Sequence, residues 1–266
     1  MTGRNHKLIS RVERLIGWRI LLRYGDPLVM DRWRWLRPRL VPGNIRTFDA
    51  GCGNGCFSFA AASLGNQVIA GSFDEESITK ANARAELFGI KNVTFVEIDL
   101  RDLKAASEDL PRFDQIICTE CIEHIVDDGG LIRDLASLLV PGGRLLLTTP
   151  AANHRGLRHE RLSETEDGGH VRWGYTEDRL KELCATNGLQ VVETTFTSGL
   201  LSQKITNLMR VPRERAAWAL TYPLRIVQLL DRPFNRLIGY PWFGIGIVAI
   251  KKDSSTGNEY VLGLGS

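Results

Sequence analysis

The segment Phe48-Asp49-Ala50-Gly51-Cys52-Gly53-Asn54-Gly55 lies where a β-rich run, residues 45–49, meets a helical run, residues 55–64. Glycines at such a junction let the backbone turn tightly beside a ligand, and the first N–H groups of the helix are free to bind it. The nicotinamide fingerprint G-x-G-x-x-G is not matched, because Cys56 stands where the third glycine would be. An acid two residues before the first glycine suits an ammonium group better than a pyrophosphate. The segment therefore predicts a ligand-binding strand–helix turn, with a tight turn that binds nothing as the alternative.

The chain around this segment alternates β-rich and helical runs as far as residue 149. Alternation of this kind predicts a parallel sheet with crossover helices on both of its faces. Farther along, Thr176 is a candidate N-cap for a helix that Gly188 ends, and two more β-rich runs follow. The predicted strands are residues 45–49, 67–72, 93–98, 113–119, 144–149, 190–197 and 244–251, and the predicted helices are residues 55–64, 76–88, 130–139 and 176–187.

Charge is distributed unevenly along the 266 residues, although the net charge is only +3. Residues 1–46 carry a net charge of +8 and residues 201–252 of +7, whereas residues 47–200 carry −10. This asymmetry indicates an anionic surface or partner. No run is apolar enough for a membrane span, and the N-terminus lacks the apolar core of a secretory leader. Five cysteines without a disulfide pattern favour a reducing cytoplasm.

The two basic arms flank the predicted sheet. Residues 7–24 have the pattern of a basic amphipathic helix, and residues 200–240 are helical in pattern but interrupted by Pro212, Pro223 and Pro233. Such helices most often pack on their own domain, and the alternative is a lid or a peripheral contact with an anionic membrane. We expect basic N-terminal helices over residues 1–44, a core over residues 45–200, a helical lid and the final strand over residues 201–252, and a disordered tail over residues 253–266.

Three motifs together resemble one protein family: D-A-G-C-G-N-G at residues 49–55, F-D-Q-I-I-C-T-E-C-I-E-H-I at residues 113–125, and V-P-G-G-R-L-L-L-T-T-P at residues 140–150. Over about residues 45–200 the chain resembles class I S-adenosylmethionine-dependent methyltransferases, and it is most similar to the ubiquinone-pathway O-methyltransferase type. The resemblance implies an α/β fold, a doubly wound, mostly parallel sheet of seven strands with an antiparallel last strand. Residues 244–251 can supply that strand, after a helical insertion.

The resemblance also implies the residues that hold S-adenosylmethionine. The family usually ends its second strand with an acid that binds the ribose hydroxyls, but here that position is Ser72, and Asp74 lies two residues on. Glu120 is a further candidate for orienting the cofactor. The other implied contacts are Asp49, Gly51 and Gly53 at the methionyl end, Asp99 at the adenine amino group, and Leu100 beside the adenine ring.

Glu120, Glu123 and His124 form an E-x-x-E-H motif after the fourth predicted strand. On a helix, positions i, i+3 and i+4 share one face, so these side chains could converge. With His170 from a later loop, they would offer the oxygen and imidazole ligands that suit a divalent ion such as Mg²⁺. The arrangement resembles metal-dependent O-methyltransferases, including small-RNA terminal 2′-O-methyltransferases. Without a metal, His124 or His170 is the candidate general base.

The sequence therefore favours methyl transfer from S-adenosylmethionine to a hydroxyl of a small-molecule or lipid-linked acceptor, with metal assistance as one possibility. The alternatives are an RNA terminal 2′-O-methyltransferase, although no RNA-binding module is visible, and an inactive methyltransferase-like binding protein. Residues 151–175 are the candidate substrate loop. Core packing is the expected role of the four cysteines near the predicted site, which are Cys52, Cys56, Cys118 and Cys121.

Overall fold

The computed structural model describes residues 17–24, 26–157, 161–209 and 223–252. The strands are β1 (Arg46–Ala50), β2 (Gln67–Ser72), β3 (Val93–Glu97), β4 (Phe113–Thr119), β5 (Leu139–Pro150), β6 (Leu189–Thr197) and β7 (Gly244–Lys251). The α-helices are α1 (Ile20–Tyr24), α2 (Pro27–Leu36), α3 (Cys56–Ser63), α4 (Glu75–Phe88), α5 (Leu103–Ala106), α6 (Asp128–Leu138), α7 (Glu177–Thr186), α8 (Leu200–Met209), α9 (Leu224–Val227) and α10 (Asp231–Ile238). Short 3₁₀ helices lie at Gly17–Arg19, Arg37–Arg39, Leu100–Asp102, Ile122–His124 and Gln228–Leu230.

The seven strands form one sheet in the order β3-β2-β1-β4-β5-β7-β6. Strands β1 to β5 are parallel, and β7 runs antiparallel to both of its neighbours. The predicted doubly wound, mostly parallel seven-stranded sheet, with residues 244–251 as its antiparallel strand, is confirmed. The strand order changes direction between β1 and β4, and connections that diverge at such a point leave a crevice at the carboxyl ends of the strands.

Strand β5 is longer than the sequence predicted. The predicted strand began at residue 144, but the strand already begins at Leu139, which pairs with Phe113 before an irregularity shifts the register. Gly142 has a φ of 74° within this irregularity. Helix α6 begins at Asp128, two residues earlier than predicted. Both differences affect the ends of elements and leave the topology unchanged.

Hydrophobic side chains alternate between the two faces of the central strands. Ile116 of β4 and Leu145 of β5 belong to the cluster beneath α6 and α7. Their neighbours Ile117 and Leu146 belong to the cluster that packs against α1 to α4. The sheet therefore has a core on each face, as a doubly wound fold requires.

The four cysteines near the strand ends contribute to these cores. Cys52, Cys56 and Cys118 are buried as free thiols, and Cys121 is half-buried. Burial raises the pKa of the Cys56 thiol to about 12. The group of His, Cys, Asp and Glu side chains close enough to hold a metal within the described residues includes no cysteine. These cysteines therefore have the packing role that the sequence predicted.

Helix α2 lies within the N-terminal helices expected over residues 1–44, but its own bounds were not predicted. Asp26 caps this helix, because its carboxylate accepts the backbone N–H of Leu28 at 2.9 Å, and Pro27 occupies the first turn. Trp35, on its inner side, is buried in the cluster on one face of the sheet. A cap followed by a proline is the signal that could have identified this helix.

Parts of the predicted arms lie outside the described residues. These parts are residues 7–16 of the predicted basic helix, residues 210–222 within the region broken by prolines, and the tail from residue 253. Among the helices that are described, none has the length and apolar character needed to cross a bilayer.

Candidate functional site

The glycine loop, residues 51–55, follows β1 at the crevice between β1 and β4. Gly51 and Cys52 both donate their backbone N–H to the carbonyl of Gly71 on the neighbouring strand, at 3.0 and 2.8 Å. These two bonds turn the chain sharply away from the sheet before α3 begins. Gly51, Gly53 and Gly55 have φ values of 80°, 49° and 79°, which an L side chain rarely adopts.

Close packing beneath the loop explains why Gly51 is a glycine, whereas Gly53 faces open space. A Cβ atom on Gly51 would overlap the sulfur of Cys121. A Cβ atom on Gly53 would have no heavy atom within 4 Å, although Gly53 borders a cavity. The loop is therefore tightly packed on its protein side and leaves room for a ligand on the other.

A cavity of about 470 Å³ lies above this loop at the carboxyl ends of β1, β2 and β3. Its size falls in the range of small-molecule sites. Its lining includes the apolar side chains of Phe73, Ile98 and Ile125. Seven of the eight predicted cofactor residues border the cavity, namely Gly51, Gly53, Ser72, Asp74, Asp99, Leu100 and Glu120.

Asp49, the remaining predicted cofactor residue, lies beneath the loop and is 1% exposed. The hydroxyl of Ser58 on α3 donates to its carboxylate at 2.5 Å. Burial raises the pKa of Asp49 to about 6. The carboxylate thus joins β1 to α3 under the loop, and a contact between Asp49 and the cofactor stays a prediction.

At the end of β2, Ser72 is buried, and both Ser72 and Asp74 border the same cavity. The hydroxyl of Ser72 accepts the backbone N–H of Asp74 at 3.2 Å. Asp74 also caps α4, because its carboxylate accepts the N–H of Ser77 at 3.1 Å and that of Glu76 at 3.3 Å. Either side chain could therefore face a ribose bound in the cavity, and the carboxylate of Asp74 is already held in place by its bonds to the helix.

We predict that Asp74→Asn weakens binding of S-adenosylhomocysteine by roughly fivefold, because a hydrogen bond to a charged carboxylate is stronger than one to an amide. The melting temperature should not change, since asparagine caps a helix as well as aspartate does. Calorimetric titration of this variant and of Ser72→Ala measures both contributions. If neither substitution weakens binding, the ribose is not held at this end of β2.

Arg101 also borders the cavity, and no sequence motif indicated it. Its backbone N–H and its Nε both donate to Asp99, at 2.9 and 2.8 Å, and its guanidinium lies over the ring of Phe73. Its Nη1 donates to the carbonyl of Glu166 at 2.9 Å. The carboxylate of Glu166 in turn accepts the N–H of Val126 at 2.6 Å. These bonds hold the predicted substrate loop at the cavity, which Glu166 borders.

A second cavity, of about 340 Å³, lies on the other side of the carboxyl end of β4. Glu120 borders both cavities. The walls of the second cavity are formed by Asp26, Leu28, Arg32, Glu120, Glu123, Leu157, Arg161, Gly169, His170 and Phe243. A bound acceptor and a bound cofactor could therefore face each other across Glu120.

Glu120 is held in an unusual backbone conformation between these cavities. Its φ is 54°, in the left-handed region that non-glycine residues seldom adopt. Its N–H donates to the carbonyl of Thr148 on β5 at 2.8 Å, and its carboxylate accepts the hydroxyl of Thr148 at 3.1 Å. Strain of this kind is concentrated at functional sites.

The prediction that Glu120, Glu123 and His124 share one helical face is wrong, because Glu120 precedes a 3₁₀ helix that spans only Ile122–His124. The side chains converge by another route. Ligand atoms of Glu123, His124 and His170 all lie within 4.8 Å of one another. Glu120 is not part of this close group, although it lies on the same cavity as Glu123 and His170.

Glu123 is fully buried, which is exceptional for a carboxylate. Its Oε2 accepts the hydroxyl of Thr149 at 3.1 Å, whereas its Oε1 has no hydrogen-bond partner. Burial, and then the charge of Glu120, raise the pKa of Glu123 well above its ordinary value. An unpartnered buried carboxylate oxygen beside two imidazoles fits a cation-binding role.

The loop that carries His170 is fixed to the motif by several hydrogen bonds. His124 donates its Nδ1–H to the carbonyl of Gly169 at 3.0 Å, which leaves the lone pair of Nε2 for another partner. The N–H of Val171 donates to the carbonyl of Glu123 at 2.9 Å. The imidazole rings of His124 and His170 meet edge to face, with 4.7 Å between their centres. The sequence predicted this convergence of loop and motif.

Two aromatic residues of the same loop have different environments. Tyr175 is buried and donates its hydroxyl to the carbonyl of Ile122 at 3.2 Å, whereas Trp173 is 45% exposed. Arg172 donates to the carbonyls of Ile125 and Val126 and pairs with Asp128. Arg172 and Tyr175 therefore anchor the end of the loop beside the motif.

The sequence matches known methyltransferases. Residues 43–209 match a family model described as a methyltransferase domain. The chain is similar to the ubiquinone biosynthesis O-methyltransferase of Xanthomonas axonopodis pv. citri, with 37% identity over 118 residues, which is 44% of this chain and 48% of that protein. The corresponding protein of Xanthomonas oryzae pv. oryzae is 34% identical over 125 residues, or 47% of this chain and 49% of that protein. The chain thus spans about half the length of the curated relatives it matches.

Solved structures resemble the fold over a larger share of the chain. The crystal structure of the cyclase SpnF has a TM-score of 0.59 at 17% identity and covers 92% of this chain and 96% of that one. Magnesium protoporphyrin IX methyltransferase from Synechocystis, solved with bound S-adenosylhomocysteine, has a TM-score of 0.56 at 17% identity and covers 93% of this chain and 100% of that one. At such identities these likenesses show the fold alone. Because the family model covers more than half of the sequence, the chain belongs to the methyltransferase-domain family.

Proposed function

We propose that this protein transfers a methyl group from S-adenosylmethionine to a hydroxyl of a small-molecule or lipid-linked acceptor, with the help of a divalent cation. The observation that carries the proposal is the position of Glu120 on both cavities, with Glu123, His124 and His170 grouped beside it. Methyl transfer requires two ligands that face each other, and proximity supplies much of the acceleration.

The residues above the glycine loop fit the proposed cofactor. The open side of Gly53 leaves room for the methionyl end, and the carboxylate of Asp99 lies beside the apolar residues Ile98 and Leu100, as an adenine amino group and ring require. Ser72 and Asp74 would face the ribose. When bound, S-adenosylmethionine supplies a methyl group on a positively charged sulfur. The loop fastened by Arg101 and Glu166 would shield that position from water.

Glu123, His124 and His170 would hold the cation, and Glu120 is a further ligand candidate on the same cavity. Carboxylate and imidazole together suit Mg²⁺, Mn²⁺ or a related ion. A cation there would lower the pKa of an acceptor hydroxyl. In the absence of a cation, the Nε2 of His124, which lies 4.0 Å from Oε1 of Glu123, or the ring of His170 would accept the hydroxyl proton.

The names of the relatives support an oxygen acceptor. Proteins called ubiquinone biosynthesis O-methyltransferases match 44–47% of this chain. The second cavity offers both charged groups, such as Arg32, and apolar groups, such as Leu28 and Phe243. A hydroxylated ring with an apolar substituent would suit such a mixed wall.

Incubating the protein with isotopically labelled S-adenosylmethionine and fractionated cell extract tests the proposal. We expect label in a small, organic-soluble product, and we expect chelation to lower the rate by at least about 100-fold, with recovery on adding Mg²⁺ or Mn²⁺. Label that appears only at RNA ends would identify the acceptor as RNA. Full activity after chelation would remove the cation from the proposal, and no transfer to any fraction would contradict the proposal itself.

A further inference from the structure

The helical segment before β7 has an inverted distribution of polar and apolar side chains. Helices α9 and α10 are joined by the 3₁₀ helix Gln228–Leu230, so residues 224–238 form a continuous helical segment. Its buried positions are polar: Gln228, Asp231 and Asn235 are 1%, 3% and 1% exposed. These residues follow an i, i+3, i+7 spacing and therefore share one face of the segment.

The buried polar face fixes the orientation of the segment. Asp231 accepts the backbone N–H groups of Gly199 and Leu201 at 2.6 and 2.7 Å, at the start of α8. Asn235 accepts the N–H of Leu200 at 2.9 Å, and Gln228 donates to the carbonyl of Pro27 at 2.8 Å. These bonds would be lost if the helix rotated to bury its other face. The outward direction of that face is therefore built into the fold.

The outward face is apolar. Ile226, Leu230 and Leu237 are 69%, 62% and 83% exposed, and their i, i+4, i+11 spacing places them together. Leu229, also 62% exposed, extends the patch. We call this set of four residues the outer patch. Contiguous exposed apolar side chains of this kind mark a surface that contacts another apolar phase or partner.

Positive charge accompanies the outer patch. Arg232 and Arg236 are exposed on the same segment, and Asp231, which is buried, is the only acid from residue 224 to residue 243. A second copy of the chain seated on this patch would bring two sets of arginines together without an exposed acid from the segment. Anionic phospholipid head groups would satisfy the arginines while the acyl region accepts the leucines. We propose that the outer patch docks this protein on an anionic membrane surface.

Vesicle flotation of the full-length protein tests this assignment. We expect the protein to float with vesicles of phosphatidylglycerol and phosphatidylcholine in equal parts, and not with phosphatidylcholine alone. The double variant Ile226→Glu/Leu237→Glu should bind at least about tenfold more weakly, because two apolar side chains lose their burial. Arg236→Ser should weaken binding roughly fivefold, and added salt should weaken it further.

Val192→Glu is the matched control, because Val192 is 57% exposed on the edge strand β6, outside the patch. It should float like the unmodified protein, and all variants should keep its melting temperature. The proposal is overturned if the protein does not float, if the double variant floats equally well, or if Val192→Glu weakens flotation as much. It is also overturned if light scattering shows a dimer that the double variant dissociates and no vesicle binding is seen.

Discussion

Replacing Glu123 with glutamine is expected to lower kcat/KM for methyl transfer by roughly 10²–10⁴-fold and, with chelator present at pH 8, to raise the melting temperature. Activity falls because glutamine can neither hold a cation as a carboxylate does nor accept a proton. Stability rises because the buried carboxylate, with its unpartnered Oε1, is replaced by a neutral group of the same shape. These opposite signs separate a functional carboxylate from a structural one.

The effect of Glu123→Gln on stability should depend on pH. Burial raises the pKa of Glu123 in the folded protein above its unfolded value, so the folded state binds the proton more tightly. That contribution to stability is complete below the unfolded pKa of 4.5 and is lost as pH rises toward the raised folded value. The advantage of the glutamine variant should therefore be smaller at pH 5 than at pH 8.

Thermal melts at the two pH values, with activity assays on the same samples, measure this prediction. Glu86→Gln, at an exposed position on α4, is the control and should change neither activity nor melting temperature. A Glu123→Gln variant that keeps its activity would show that the carboxylate plays no part in the reaction. A large fall in melting temperature at pH 8 would assign it a structural role instead.

Replacing Gly51 with alanine is expected to abolish cofactor binding and to lower the free energy of unfolding by about 2–5 kcal/mol. Two effects combine. The φ of 80° is costly for any residue with a Cβ atom, and that atom would overlap the sulfur of Cys121. Because Cys121 lies under the turn, relief of the overlap must move the loop that borders the cavity. Calorimetric titration with S-adenosylhomocysteine and denaturant unfolding measure the two losses.

Two other glycines serve as controls for Gly51→Ala. Gly142 has a similar φ of 74° and no heavy atom near its Cβ position, so Gly142→Ala should show the backbone cost alone, about 1–2 kcal/mol, with normal binding. Gly53→Ala should lose a similar amount of stability and also weaken binding, since Gly53 borders the cavity. Normal binding in Gly51→Ala would contradict the role given to the loop.

The fold was predictable from the sequence because its signals are local and repeated. The parallel strands are short β-rich runs, and several helices have capping signals such as Thr176, whose hydroxyl oxygen accepts the N–H of Arg179 as expected. The antiparallel direction of the last strand could not be recognised from local sequence patterns. Its prediction came from the resemblance to a family. Among the strands and helices that were predicted with bounds, the differences lie at the ends of elements, as at β5, where the chain pairs with β4 through an irregularity.

The site was predictable as a set of residues but not as a geometry. Spacing suggested that Glu120, Glu123 and His124 share a helical face, whereas β5 holds Glu120 in a left-handed conformation and the loop around His170 completes the group. Arg101 was missed because its position over the cavity depends on Glu166, which is distant in sequence. Tertiary contacts of this kind leave no periodic signal.

The inverted helical segment shows the limit of pattern analysis most clearly. Its apolar residues suggested packing on the domain, which is the usual role of an amphipathic helix. The structure buries its polar residues instead, because Asp231 and Asn235 bond to the start of α8. In this segment, hydrogen bonds to neighbouring elements determine which face of the helix is buried.

Isothermal titration of S-adenosylhomocysteine into the protein tests the central claim most directly. We predict binding of one molecule per chain, a higher melting temperature in its presence, weaker binding by Gly53→Ala and none by Gly51→Ala. No heat of binding and no thermal shift for the unmodified protein would mean that the glycine loop and its cavity do not hold this cofactor.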